Sequence, residues 1–218
     1  MILTGSDIQE AVEQRRISIE PFDPASVQPA SYDLHVGPEG YSSSQKDSVV
    51  SLERSHLLVL APGDFGMVIT NERLKLDTWH VGRFGLRSSL ARKGLIAAVG
   101  PQIDPGFDGR LIVGLVNLSP HPIPLSYLDD FLTVEFHILQ HEAEPYAGPY
   151  QRRDRITAND LQHFIGGQGM VYSEVVSSLA TLNRTVGALQ GSVKILLWVV
   201  GVAMAMLSIA VTIALVRG

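Results

Sequence analysis

The sequence predicts a mainly β head followed by a helical tail. Three observations carry this. Short runs rich in β-branched and aromatic residues recur between Pro/Gly turns over residues 1–150: HLLVLAP, FGMVITNE, HVGRFGL, RLIVGLVNL and FLTVEFHIL. That pattern belongs to a barrel or sandwich, not to alternating β and α units. A heptad of apolar residues then runs from Val175 to Val193, and the uncharged run ILLWVVGVAMAMLSIAVTIALV follows at 195–216.

Taken in order, MILTGSDIQEAVEQRR reads as an amphipathic helix and not as a signal peptide. It has no early basic region and no apolar core. Ser6 with Gln9 fits a capping box, and Ile8 and Val12 repeat at helical spacing. The β-rich head follows. Residues 151–170, polar and Gly-rich, read as an extended arm.

From 171 to 194 the apolar positions Val175, Leu179, Leu182, Val186, Leu189 and Val193 are spaced four and three apart, and Leu196 and Val200 continue the series. Leu179, Val186 and Val193 take the a positions and Val175, Leu182 and Leu189 the d positions of a coiled-coil stalk. Gly187 and Gly191 weaken it. At ~1.5 Å per residue, 195–216 spans roughly 33 Å, close to a bilayer core of about 30 Å. Lys194 and Arg217 flank it, and Trp198 sits near one end. The expectation is a single-pass tail anchor with the head in the cytoplasm.

The formal net charge is -5. Glu174, Arg184, Lys194 and Arg217 are the charged residues from 171 onward, so the acidic balance lies in the head. A long nucleic acid is a poor partner for it, because backbone phosphates want a basic face. There are no cysteines, which removes thiolate catalysis and thiolate zinc sites. Base deamination here would have to be metal-free.

Three segments carry chemistry. RSSLARKG places Arg87, Ser88, Ser89 and Arg92 together, and guanidinium forks with hydroxyls suit phosphate oxygens. A solvated basic turn has the same composition. QIDPGFDG puts Asp104 in a Pro/Gly turn, either as an Asx turn or as a carboxylate that orients water or meets a sugar hydroxyl. SYDLHVG sets Asp33 inside a strand, where an acid needs a partner or ligand. His137 and His141, with Glu142 and Glu144, lie on a strand running into a loop, where i, i+4 spacing does not assemble a metal site.

Together these segments resemble the dCTP deaminase branch of the trimeric dUTPase superfamily. MILTGSDIQEAVEQRRISIEPF looks like its opening helix and strand, and QPASYDLHVG like its first motif. LAPGDFGMVITNERLKL, RSSLARKGL and IDPGFDG follow in the family's order, so the likeness covers about residues 1–150. It implies a distorted jelly-roll barrel, a homotrimer with sites between subunits, and a pyrimidine deoxyribonucleoside triphosphate ligand with Mg²⁺. Arg87, Ser88, Ser89 and Arg92 would hold phosphates. The hairpin from Ile96 to Gln102, with Ala98, Val99 and Gln102, would read the pyrimidine. Asp104 would approach the deoxyribose or position water, and Phe107 would close over the sugar.

The chain departs from the family at Gly114, where the resemblance places the deaminase's glutamate. Neither Gly114 nor Leu115 transfers protons. Glu135 lies on a different strand and does not inherit the role. Three readings follow: a membrane-anchored nucleotide sensor or effector, a tail-anchored dUTP/dCTP diphosphatase using Asp104 and Mg²⁺, and a trimeric membrane scaffold.

Overall fold

The structure, a computed structural model, describes residues 1–44, 48–162 and 172–217. The chain divides into two compact units, Met1–Ser173 and Glu174–Gly218.

The first unit opens with helix α1 (Gly5–Glu13), strand β1 (Ile17–Glu20), a 3₁₀ turn at Pro24–Ser26, β2 (Val27–Gln28) and β3 (Ser31–Ser42). Then come β4 (Val50–Ser51), α2 (Leu52–Ser55), β5 (Leu57–Leu60), β6 (Phe65–Leu76) and β7 (His80–Leu86). A single turn, α3 (Ser88–Ala91), precedes β8 (Leu95–Ala97), β9 (Gln102–Ile103) and β10 (Asp108–Asn117). β11 (Ile123–Ser126), β12 (Asp130–Ile138) and α4 (Ala158–Leu161) complete it.

α1 is capped two residues earlier than the sequence suggests. Thr4 is the N-cap, its backbone N–H donating to Asp7 Oδ2 at 2.9 Å. Ser6 instead pairs its hydroxyl with that of Thr4 at 3.0 Å. The acid three residues beyond Thr4 completes the box better than Gln9 does, because a carboxylate suits the helix N-terminus. Ile8 and Ala11 turn the apolar face of α1 into the core.

The long strands form one curled antiparallel sheet in the order β8-β10-β6-β3-β12-β7-β9, while β5 and β11 pair separately. Both ends of that path come from one short segment. β8 and β9 flank residues 98–101, so this hairpin bridges the seam at which the sheet curls on itself. All five runs read as strands are β5, β6, β7, β10 and β12.

Alternation sets the core. Tyr32, Leu34 and Val36 of β3 and Phe131, Val134 and Phe136 on or beside the β12 ladder are fully buried. Each such side chain contributes roughly 1.5–3 kcal/mol by leaving water. β12 pairs with both β3 and β7, bringing Thr133 opposite Asp33 on one side and Gly85 on the other. It ends at Ile138, so His137 and His141 do not share a helical face.

The segment read as an extended arm lies against the barrel as far as Gln162. Ile156 and Leu161 are buried in a small second core with Tyr41 and Ile69. Arg73 ties Asp154 at 2.5 Å and Asp108 at 2.8 Å, and the Ile156 amide donates to Glu39 Oε2 at 2.8 Å. Two apolar residues among polar ones suffice to seat a segment that composition alone reads as free. Residues 163–170, the rest of that arm, lie outside the described residues.

The second unit consists of the continuous helix α5 (Tyr172–Arg217) from Glu174 onward. It runs unbroken through Gly187 and Gly191. The heptad side chains from Val175 to Val193 are exposed in the single chain, Leu179 and Leu189 at 60%. Thr181–Ala205 is long and apolar enough to cross a membrane. The span read from the sequence, 195–216, overlaps this stretch. Its side chains beyond 205 lie outside the described residues.

Candidate functional site

The seam opens into a cavity of about 560 Å³. Its floor is Phe65 and Met67 of β6 with Arg110, Leu111, Ile112 and Gly114 of β10. The hairpin residues Ala98, Val99 and Gly100 form one wall, with Gln102, Ile103, Asp104 and Phe107 beside them. The segment from Tyr146 to Gln162, which we call the strap, also lines it through Tyr146, Tyr150, Arg153, Asn159, Asp160 and Gln162.

The turn after β9 orients this wall. Gln102 Nε2 donates to Asp104 Oδ1 at 2.6 Å, which turns the Gln102 carbonyl oxygen away from the acid. Phe107 is buried and its ring meets that of Tyr146 at 6.0 Å. Gly106 has φ 75°, and a Cβ there would stand 2.6 Å from Pro145 Cβ, so the turn and the strap approach closely only with glycine. The Tyr146 amide donates to the Pro105 carbonyl at 2.7 Å and Gln151 Nε2 to the Gly106 carbonyl at 2.9 Å. Within the strap, Asp160 accepts from the Thr157 amide at 2.8 Å, the Thr157 hydroxyl at 2.6 Å and Arg153 Nη1 at 3.3 Å.

At Gly114 the floor is closed by neighbours. A Cβ there would lie 3.0 Å from the Ala98 carbonyl oxygen and 3.2 Å from Phe65 Cζ. Leu115 is fully buried and points into the core. A side chain at position 114 would need the hairpin or the ring to give by a few tenths of an ångström.

Arg87, Ser88, Ser89 and Arg92 do not line this cavity in one chain. They form a separate corner at the end of β7. Arg87 is the N-cap residue of α3, its amide bonded to the Phe131 carbonyl at 2.9 Å. Ser88 and Ser89 are exposed, and Arg92 Nη2 donates to Ser88 Oγ at 3.1 Å. Arg87 Nη1 contacts Asp33 Oδ2 directly and lies 3.2 Å from Asp130 Oδ2. Its Nε and Nη2 have no partner among the described residues. Asp33 is buried and its other oxygen accepts from the Thr133 hydroxyl at 2.6 Å. The acid that needed a partner in SYDLHVG thus has two.

Asp130 continues the network. Its Oδ1 lies 3.0 Å from His35 Nε2, and His35 Nδ1 lies 2.5 Å from Oε1 of the buried Glu72. The bond to Glu72 holds the His35 imidazole above the usual histidine range, against the burial that lowers it; Asp130 adds to the rise. Sequence reading singled out neither His35, Glu72, Asp130 nor the strap residues. His35 was within reach, because it stands two residues from Asp33 on one strand and shares its face. Glu72 and Asp130 come from other strands, and only the register brings them there. Among the described residues no group of three or more His, Asp or Glu is placed to hold a metal ion.

Comparison with known proteins adds ancestry to this geometry. The family model described as dCTP deaminase-like matches residues 2–127. A dCTP deaminase of Pyrococcus furiosus is 38% identical over 144 residues, covering 66% of this chain and 90% of that protein. A dUMP-forming dCTP deaminase of Dictyoglomus turgidum is 33% identical over 165 residues, covering 67% of this chain and 85% of its own length. Among solved structures, the 2′-deoxycytidine 5′-triphosphate deaminase of Agrobacterium tumefaciens is similar with a TM-score of 0.53 at 23% identity. That match spans 63% of this chain and 48% of the other, and it supports the fold.

Proposed function

Because this chain belongs to the dCTP deaminase-like family, we propose that it is a membrane-anchored nucleotide-binding protein whose head has lost deamination and acts as a nucleotide sensor or effector. The observation that carries this reading is Gly114. Glycine carries no side chain where the resemblance puts the general acid/base, so no group there transfers a proton at the pyrimidine C4.

The ligand is a pyrimidine deoxyribonucleoside triphosphate or a related nucleotide. Ala98, Val99 and Gln102 read its base edge, and Asp104 and Phe107 meet the sugar. Arg87, Ser88, Ser89 and Arg92 hold phosphates. That the Arg87 corner does not line the cavity of its own chain supports a homotrimer, in which one copy offers its Arg87 corner to the cavity of the next. Mg²⁺ travels with the triphosphate; it suits one or two carboxylates plus phosphate oxygens and does not need a dedicated protein cage. Helix α5 supports the anchor, through the apolar stretch Thr181–Ala205. The strap that walls the cavity leads in sequence to α5, which gives occupancy a route to the membrane segment if ligand affinity differs between two states.

A second reading is a dUTP/dCTP diphosphatase. Asp104 on the cavity wall favours it, since that route needs a carboxylate to orient water. The full chain in detergent or nanodiscs, incubated with dCTP or dUTP and Mg²⁺, separates these. Binding without ammonia or pyrophosphate release is the expected result. Ammonia release from dCTP overturns it. Pyrophosphate release that vanishes in Asp104→Asn establishes the diphosphatase, and no binding of any deoxynucleotide favours a scaffold.

A further inference from the structure

We infer that His35 is a positioning residue for Arg87, and that its protonation makes the anion affinity of the Arg87 corner pH-dependent. The inference rests on the reading of Arg87 as a phosphate ligand. It concerns a group that this reading does not include.

The geometry sets the protonation state. Both ring nitrogens of His35 face carboxylate oxygens, Nδ1 to Glu72 at 2.5 Å and Nε2 to Asp130 at 3.0 Å. A carboxylate only accepts, so each nitrogen must donate, and His35 is an imidazolium in this arrangement. Glu72 also accepts from the His35 amide at 2.9 Å, so this carboxylate is fixed to β3 by two bonds. Asp130 is half-exposed and divides its two oxygens between His35 and Arg87. It is therefore the mobile member of the chain.

When His35 loses a proton, it keeps the shorter bond to buried Glu72. Its bare Nε2 then faces Asp130 Oδ1, lone pair to lone pair. Asp130 turns to Arg87, its remaining cation. With the imidazolium present, the three acids Glu72, Asp130 and Asp33 face two cations. Without it they face Arg87 alone, and the guanidinium's Nε and Nη2, unpartnered among the described residues, offer less to an incoming phosphate. Anion affinity falls as pH rises through the titration of His35. A unit charge lost beside a bound anion, at an effective dielectric of about 20–40, weakens binding by roughly tenfold.

The other titratable groups near His35 do not produce this profile. Asp23, before the 3₁₀ turn, adds only a further negative field. The phenols of Tyr32 and Tyr127 are pushed up from their ordinary value by burial first and by the charge of Glu72 among other causes, and stay neutral.

The test is binding of dCTP and dUTP with Mg²⁺ to the full chain from about pH 5.5 to about pH 9, bracketing histidine titration. His35→Arg keeps the charge and His35→Gln removes it; the ligand's own titration is common to all. The expected result is a roughly tenfold fall in affinity with rising pH for the native chain relative to H35R, and uniformly weak binding for H35Q. The same slope in H35R as in the native chain overturns the role of His35 and leaves the nucleotide reading intact. No binding by any form at any pH overturns both. ¹⁵N spectra of the histidine rings in the native chain give a check that needs no variant. Both His35 nitrogens protonated at neutral pH is the expected outcome, and a neutral tautomer there overturns the inference.

Discussion

The Ala98 amide donates to the Gly114 carbonyl at 2.8 Å, and the Ala98 carbonyl oxygen stands 3.0 Å from where a Gly114 Cβ would project. One residue of the hairpin thus both bonds position 114 and covers it. Gly114→Glu should not by itself restore deamination, because its Cβ would press on the Ala98 carbonyl and the Phe65 ring and shift the hairpin. Gly114→Ala should destabilise the head by about 1–2 kcal/mol as the ring and hairpin shift. Denaturation midpoints and ammonia release from dCTP measure the two effects. Ammonia release by G114E would show that the hairpin yields and that only the side chain was missing.

The barrel was legible because strand alternation and turn residues are local properties, and all five apolar runs obeyed them. The hairpin and Asp104 wall was legible for the same reason: residues 98–107 are contiguous. Three things were not. The cap fell on Thr4 because Asp7 outcompetes Gln9 at the helix N-terminus. The strap's seat depends on Ile156 and Leu161 finding Tyr41 and Ile69, more than 80 positions away. The His35–Asp130–Arg87 chain exists because β12 lies between β3 and β7, and strand order is not written in any one segment.

The buried acid of the APGDFG turn should be the costliest single polar position in the head. Asp64 is fully buried and accepts from Ser42 Oγ at 2.9 Å, Ser44 Oγ at 2.7 Å and the Ala61 amide at 2.7 Å. Asp64→Ala leaves these donors without an acceptor and should cost about 3 kcal/mol or more. Asp64→Asn keeps one acceptor oxygen and should cost less. Chemical denaturation of both variants checks the order, and an equal loss would mean that the missing carboxylate charge, not the number of orphaned donors or the cavity in D64A, sets the penalty.

Stability should also report the state of His35. Its folded pKa is raised above the ordinary 6.5, with the bond to Glu72 as the main cause. The stabilisation is therefore complete below about pH 6.5 and is lost as pH rises through the folded value. Thermal melts of the native chain and H35Q should diverge most under mildly acidic conditions and converge as the solution turns alkaline. A gap that stays constant across that range would mean that H35Q removes packing and no proton-linked interaction.

The strap should open without the barrel. Its seat is Ile156 and Leu161, latched by Arg73 to Asp154 and by the Ile156 amide to Glu39. Leu161→Ala removes a buried side chain at a cost of about 2–4 kcal/mol, enough to populate the open strap while the main core, which Leu161 does not enter, keeps its packing. The backbone at Arg152, Arg153 and Arg155, two of which already have exposed side chains, is then free to enter the trypsin active site. Limited proteolysis should cut L161A at these arginines well before the native chain, with the far-UV signature of the barrel unchanged. If nucleotide binding slows that cleavage in the native chain, the strap closes over an occupied cavity. Cleavage at the same rate with and without ligand would separate the strap from the site and remove the route by which occupancy reaches α5.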